Sequence, residues 1–385
     1  MTLRTMSDDT QASILTEASP PLLEVRDLNT TFATDAGTIT AVDGVSLNVP
    51  RGKTVALLGE SGCGKSVTAL SIMRLIPQPP GHIERGQILL HDAHASTTAT
   101  ESHVGETPLD LLGLTEQQMR GVRGNRIAII FQDPMTAMNP VMRVGAQIVE
   151  AIELHRPLRG KAAVAEAVAL LRDVGIPTPE ERFACYPHQL SGGMLQRVMI
   201  AMALSCEPSL LIADEPTTAL DATIQLQILG LLRSLQAKTA MSILIITHDL
   251  GVVAELANYA YVMYAGRIVE HASCSSLLTH PQHPYTQGLS RCMPRLSDRK
   301  HRLDIIPGHV PDPGDWPTGC RFHPRCALTA ERAGLGDRQT TSTPTSEGSV
   351  VLRRCIERYE EEPSGQPPLY EVKPNHFAAC WELDT

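Results

Sequence analysis

Eight consecutive residues, Gly59-Glu60-Ser61-Gly62-Cys63-Gly64-Lys65-Ser66, have the composition of a loop that wraps phosphate oxygens. Glycines at 59, 62 and 64 permit a tight turn whose successive backbone N–H groups converge on an anion. Lys65 can neutralise the β- and γ-phosphates, and the Ser66 hydroxyl can ligate magnesium, with Val67 continuing into a helix. The bland alternative is a glycine-rich turn without chemistry. It fits poorly with strand, loop, Lys-Ser and helix arriving in that order. Downstream, Asp214 and Glu215 close the apolar run 209–213. There Asp214 can hold magnesium through water, and Glu215 can polarise an attacking water as general base. Gln132 follows the run 126–131 and His248 the run 242–247. The first can reach magnesium or the water, the second a γ-phosphate. A lone glutamine or histidine is usually structural filler; two of them, each after a buried strand, are not. Magnesium would then sit among Ser66, Gln132 and Asp214. Phe32, one of five phenylalanines, is the best candidate for stacking on a base.

The elements that carry these residues are visible in the pattern. Residues 54–58 are short, apolar and partly β-branched, as a buried parallel strand requires. Residues 67–76 have helical apolar spacing and stop at Pro77. Strands alternate with helical patterns and no fixed-period repeat occurs, which predicts an α/β fold. A helical stretch covers about 135–190, including 161–174, closed by Gly175 and Pro177. Then comes Leu190-Ser191-Gly192-Gly193-Met194-Leu195-Gln196, where Ser191 is a good N-cap and Met194, Val198 and Met202 form an apolar stripe.

Composition excludes some classes. With 385 residues the chain exceeds one average domain, and its net charge of −9 disfavours a nucleic-acid surface. No apolar run approaches the roughly 18–20 residues that cross a bilayer. The polar opening 1–21 has no signal-like apolar core and reads as disordered. Residues 91–108 and 334–349 read as loop insertions, with no function assigned to either.

In combination and order, these motifs resemble the ATP-binding cassette family of transport ATPases. The resemblance implies a P-loop (RecA-like) cassette over residues 22–280, with an antiparallel β subdomain and a helical subdomain at about 135–190. It implies that Leu190, Ser191, Gly192, Gly193, Met194 and Gln196 face the ATP held by a partner cassette. Asp221, in Thr218-Ala219-Leu220-Asp221, matches the family's loop that couples the two sites across the dimer. Leu195 departs from the basic or small polar residue of many members, and the departure is expected to alter surface contacts. Tyr186-Pro187-His188-Gln189, Met263-Tyr264-Ala265-Gly266 and His283-Pro284-Tyr285-Thr286 look like the dipeptide, oligopeptide and nickel importer branch.

That branch implies an ATP hydrolase peripheral to the cytoplasmic face of the inner membrane. Its partners would be a second, sister ATPase, two permease subunits and an extracytoplasmic substrate-binding protein. Peptide is favoured over nickel as the more populous substrate class. Ribosome- or DNA-acting cassettes usually have two cassettes or a long coiled-coil insert, neither of which is present. A non-hydrolysing scaffold is at odds with the intact Gln132, Asp214, Glu215 and His248.

Nine cysteines and no secretory leader fit a reducing setting. Cys63, Cys185, Cys206, Cys274 and Cys292 share no pattern. In the branch's tail, here 281–385, a four-cysteine set resembles iron–sulfur ligands, which maps onto Cys320, Cys326, Cys355 and Cys380. Where members have a third cysteine soon after the second, this chain has Ala333, the polar 334–349 and then Cys355. Four thiolates suit a [4Fe–4S] cluster or tetrahedral zinc, and free thiols are the remaining alternative.

Overall fold

The computed structural model describes residues 20–92, 108–218, 220–292, 305–334, 342–344, 350–352, 355 and 365–383. The leader up to residue 19, most of the 91–108 loop and much of 334–349 lie outside the described residues. In chain order the first strands are β1 (Leu23–Thr34), β2 (Gly37–Val49), β3 (Thr54–Leu58), β4 (Gly81–Leu90), β5 (Leu109–Asp110), β6 (Ile127–Ile130) and β7 (Leu210–Asp214). They continue with β8 (Ser242–Thr247), β9 (Tyr259–Tyr264), β10 (Arg267–Ser273), β11 (Ser342–Pro344), β12 (Val350–Leu352), β13 (Tyr370–Lys373) and β14 (His376–Ala378).

An eight-stranded sheet of order β13-β14-β10-β9-β3-β8-β7-β6 is the backbone of the molecule. Strands β6, β7, β8, β3 and β9 run parallel, and β10, β14 and β13 add antiparallel partners at one edge. The parallel strands β3, β7 and β8 are buried along their whole length, which is why they read as continuous apolar runs. Alternate residues feed different cores. Ala56, Leu58, Ala213 and Ile245 pack with the helical region, whereas Val55, Leu57, Ile212 and Leu244 pack toward a second sheet. That second sheet is antiparallel, with order β2-β1-β4-β5.

The helical region contains Pro134–Ala137, Val144–His155, Lys161–Asp173 and Pro179–Phe183, ahead of Gly192–Leu204. Lys161–Asp173 ends as expected: Gly175 takes φ 76°, its N–H reaches the Arg172 carbonyl, and the Ile176 N–H reaches that of Leu171. The helix after the phosphate loop ends earlier than its apolar spacing suggests, at Ile72. Arg74 adopts φ 50°, and the Arg74 and Leu75 amides bond back to Ser71 and Leu70. This is the same left-handed stop with arginine in the usual glycine position, which residue type does not announce.

The tail, expected as a small domain at 281–385, places β13 and β14 in the central sheet and has a small core of its own around Leu352, Cys355, Tyr370 and Trp381. Its strand β14 pairs with β10, so the tail extends the central sheet. Glu270 of β10, fully buried, accepts from the Gln282 and His283 amides and contacts His376 Nε2 at 2.6 Å. One carboxylate thereby ties three segments together.

Candidate functional site

The phosphate loop leaves the carboxyl end of β3 and enters the Lys65–Ile72 helix. Two of its glycines are required by packing. A Cβ on Gly59 would lie 2.3 Å from the Met263 carbonyl oxygen, and one on Gly64, where φ is 107°, 2.5 Å from that of Ala41. The buried Lys65 ammonium donates to the carbonyls of Gly59 and Glu60, both at 2.8 Å. It also lies 4.0 Å from the Glu215 carboxylate. The Ser66 hydroxyl donates to Asp214 Oδ1 at 3.1 Å, across from the end of β7. Burial, reinforced by the Glu215 charge and opposed by the Ser66 hydrogen bond, raises the Asp214 pKa above its ordinary value.

Glu215 is the node of the site. It sits just past β7 with φ 46°, and its N–H bonds to the Ile246 carbonyl of β8. Its Oε2 accepts from Gln132 Nε2 at 3.1 Å and Thr218 Oγ1 at 2.9 Å, and Oε1 contacts His248 Nδ1 at 3.2 Å. Burial works to raise this carboxyl's pKa, but hydrogen bonds from His248 and Thr218, with the Lys65 charge, bring it below the usual value. An ionised carboxylate surrounded by donors is the protonation state that a general base needs. Gln132, His248, Lys65, Ser66, Asp214 and Glu215 are therefore brought together at one edge of the central sheet. Thr218 is not among the sequence candidates, although it belongs to the Thr-Ala-Leu-Asp motif.

Other candidates lie elsewhere. Phe32 is on β1, half-buried, opposite Ile39 and Gly81 on its two neighbouring strands. Cys63 is buried, and burial pushes its thiol up to about 11. The Glu60 side chain accepts from Arg325 of the tail. Val67 is partly buried and continues the helix. Ser191 caps Gly192–Leu204, accepting from the Met194 amide at 3.4 Å. Ser191 and Gly192 are exposed, and a Cβ on Gly192 would meet nothing within 4 Å, so this helix start is open to a partner. Leu190 is buried, Gly193 rests near Ile224, and Gln196 is buried with its Nε2 unpartnered among the described residues. Asp221 accepts from the Thr223 and Ile224 amides, both at 3.0 Å, capping Ala222–Thr239. Leu195 corrects the expectation of an altered surface. It is 2 % exposed, inside the core shared by the helical region.

Comparison with known proteins agrees with this architecture. The ABC transporter family profile matches residues 42–218, and that of the oligopeptide/dipeptide transporter C-terminal region matches 269–332. A putative peptide import ATP-binding protein of Brucella melitensis is 48 % identical over 347 residues, 89 % of this chain and 98 % of the relative. The chain belongs to the ATP-binding cassette family of transporter ATPases. The oligopeptide transport ATP-binding protein OppD of Bacillus subtilis is 45 % identical to this cassette ATPase, covering 94 % of the chain and 89 % of OppD. Among solved structures, the dimeric ADP- and phosphate-bound cassette MJ0796 has a TM-score of 0.56 at 22 % identity, covering 66 % of this chain and 98 % of its own. The cassette cbiO1 of Clostridium perfringens has a TM-score of 0.54 at 27 % identity, covering 68 % and 91 %.

The cassette's tail gathers its four candidate thiols. Cys326, Cys355 and Cys380 are buried, and the Cys320 amide donates to the Cys355 carbonyl at 2.9 Å. Burial, and then the proximity of Cys380, Cys355 and Cys326, push the Cys320 thiol well above its ordinary pKa. Among the described residues, no three His, Cys, Asp or Glu side chains close to the spacing of a single metal-ion site. Among the described residues, no helix is long and apolar enough to cross a membrane.

Proposed function

We propose that this chain hydrolyses ATP to power import of dipeptides or oligopeptides through a membrane permease. The observation that carries the catalytic half is the Glu215 carboxylate, held by Gln132, Thr218 and His248 beside Lys65. In this reading the loop 59–67 binds the ATP phosphates and Lys65 leaves its two carbonyls for them. Ser66 and Asp214, already hydrogen-bonded to each other, hold magnesium together with Gln132. Magnesium neutralises charge on the phosphate oxygens when bound. Glu215 takes the proton of the attacking water, and His248 is oriented toward the γ-phosphate. Phe32 offers a face to the adenine.

The helix start at Ser191–Gly192–Gly193, with Ser191 and Gly192 exposed, supports a composite site completed by a second cassette, with Asp221 in the coupling loop. Peptide as cargo is supported by the names of the relatives and by the matching C-terminal region. A permease docks on the helical region near Gln132 in this reading, where Met135 and Val141 are 46 % and 80 % exposed. Such an arrangement places the chain peripherally on the cytoplasmic face of the membrane, with an extracytoplasmic binding protein delivering the solute. The test is Glu215→Gln in the assembled transporter. ATP binding persists while turnover falls by roughly 10²- to 10⁴-fold; unchanged phosphate release would remove Glu215 from this role.

For the tail, Cys320, Cys326, Cys355 and Cys380 would hold a [4Fe–4S] cluster. The cluster has a structural part in this reading, and no step of hydrolysis passes through it. Anaerobically purified protein should be brown, with iron and sulfide in proportion, and Cys326→Ser should bleach it. Stoichiometric zinc without iron would refute the assignment.

A further inference from the structure

The tail reaches the phosphate loop directly. Arg325, the residue before Cys326, has a side chain 5 % exposed, and its guanidinium grips both carboxylate oxygens of Glu60. Nη1 donates to Oε2 at 2.7 Å and Nη2 to Oε1 at 3.0 Å. Nε donates to the Pro307 carbonyl at 2.8 Å, and Nη1 also reaches the Tyr264 hydroxyl at 3.4 Å. The fork is thus fixed from three directions, unlike a solvated surface ion pair. On the same side, the Glu60 amide donates to the Tyr285 hydroxyl at 2.9 Å. Tyr285 packs on Tyr264 and Phe322, with ring centroids 4.7 and 5.3 Å away.

Glu60 is therefore held by its side chain and its amide from the tail side, while its carbonyl accepts from Lys65 on the other. Any shift of Glu60 moves an acceptor of the lysine ammonium. The mount of Arg325 is also defined. It closes the short 3-10 turn His323–Arg325, which lies between Cys320 and Cys326.

We propose that Arg325 is a positioning residue for ATP hydrolysis, setting the phosphate loop through Glu60 from the short turn between Cys320 and Cys326. This rests on the reading that the loop 59–67 takes ATP. Side chains on either side of the contact then act as one unit.

The experiment is a double-mutant cycle on the full chain assembled with its permease partners: Glu60→Gln, Arg325→Met and the two combined. KM and kcat for ATP are measured with the thermal unfolding midpoint of each sample. Each single change should raise KM by about tenfold, and the double should be no worse than either single. Arg325→Lys, which keeps the charge without the fork, should fall between wild type and Arg325→Met. Multiplying losses, or an unchanged KM in Glu60→Gln, would overturn the proposal. Should Arg325→Met fail to fold, Glu60→Gln decides alone, because it leaves the tail's own residues intact. Lys65→Ala separates the two readings. Retained ATP binding there sinks the ATP assignment, whereas lost binding beside a silent Glu60→Gln sinks only the coupling.

Discussion

Glu215 shows how a site can be readable residue by residue and still hold a surprise. Its identity, and those of Gln132 and His248, follow from acidic or polar residues placed after apolar runs. Its left-handed φ of 46° and its bond to Thr218 do not follow from spacing. Leu195 is the opposite case, in which the resemblance to family members with a polar residue there suggests a surface position and the helix turns it inward. It is four residues after the Ser191 cap, where an apolar side chain can pack against the residue before the cap, here the buried Leu190. Leu195→Ala should therefore cost about 2–5 kcal/mol. Urea unfolding of the full chain measures it, and a loss within roughly 0.5 kcal/mol would return Leu195 to the surface class.

At the scale of elements, the parallel strands are the most legible part of the chain. Burial on both faces demands uninterrupted apolar runs, so β3, β7 and β8 announce themselves and deliver their polar ends to one edge. Helix ends are less legible, because a stop such as that at Arg74 depends on backbone conformation that many residue types tolerate. Asp221 carries two roles: a local cap in the structure and the dimer-coupling position proposed for it. Its carboxylate satisfies two otherwise unpaired amides of Ala222–Thr239. Asp221→Ala should lower stability by about 1 kcal/mol through the cap alone. Asp221→Asn keeps an accepting oxygen, so a defect in cooperative ATP turnover that persists in Asn but not in the unfolding curve would belong to the coupling role.

For the molecule as a whole, joining the tail to the central sheet creates a buried polar seam with a pH consequence. His271 stacks between Tyr261 and Phe377, with ring centroids 5.0 and 4.6 Å away, and burial lowers its pKa to about 3, helped by His376. Burial likewise lowers His283 to about 4, although Glu270 and a backbone bond to Ala379 oppose it. Both are neutral when folded but take up protons near pH 6.5 when unfolded. The unfolded chain then binds more protons below that value, so stability falls as pH drops from about 6.5 toward 4. Together they should cost on the order of 4 kcal/mol between pH 7 and pH 5. Denaturation midpoints at the two pH values check this, and His271→Phe should roughly halve the dependence. An unchanged slope in that variant would place the acid sensitivity elsewhere.

The phosphate loop, the acidic strand end and the Ser191 helix start were determined by sequence alone, because each is local chemistry written into a few adjacent residues. The strand pattern fixed that Gln132, Asp214 and His248 would emerge at one sheet edge. Only the tertiary structure decided what lies across long chain separations. Arg325 meets Glu60 over 265 positions, Tyr285 meets it over 225, and His376 meets Glu270 over 106. Such contacts depend on which sheet edge the tail joins. Edge pairing is made by backbone hydrogen bonds that carry almost no side-chain signature, so the tail's grip on the loop 59–67 appears only once the chain is folded.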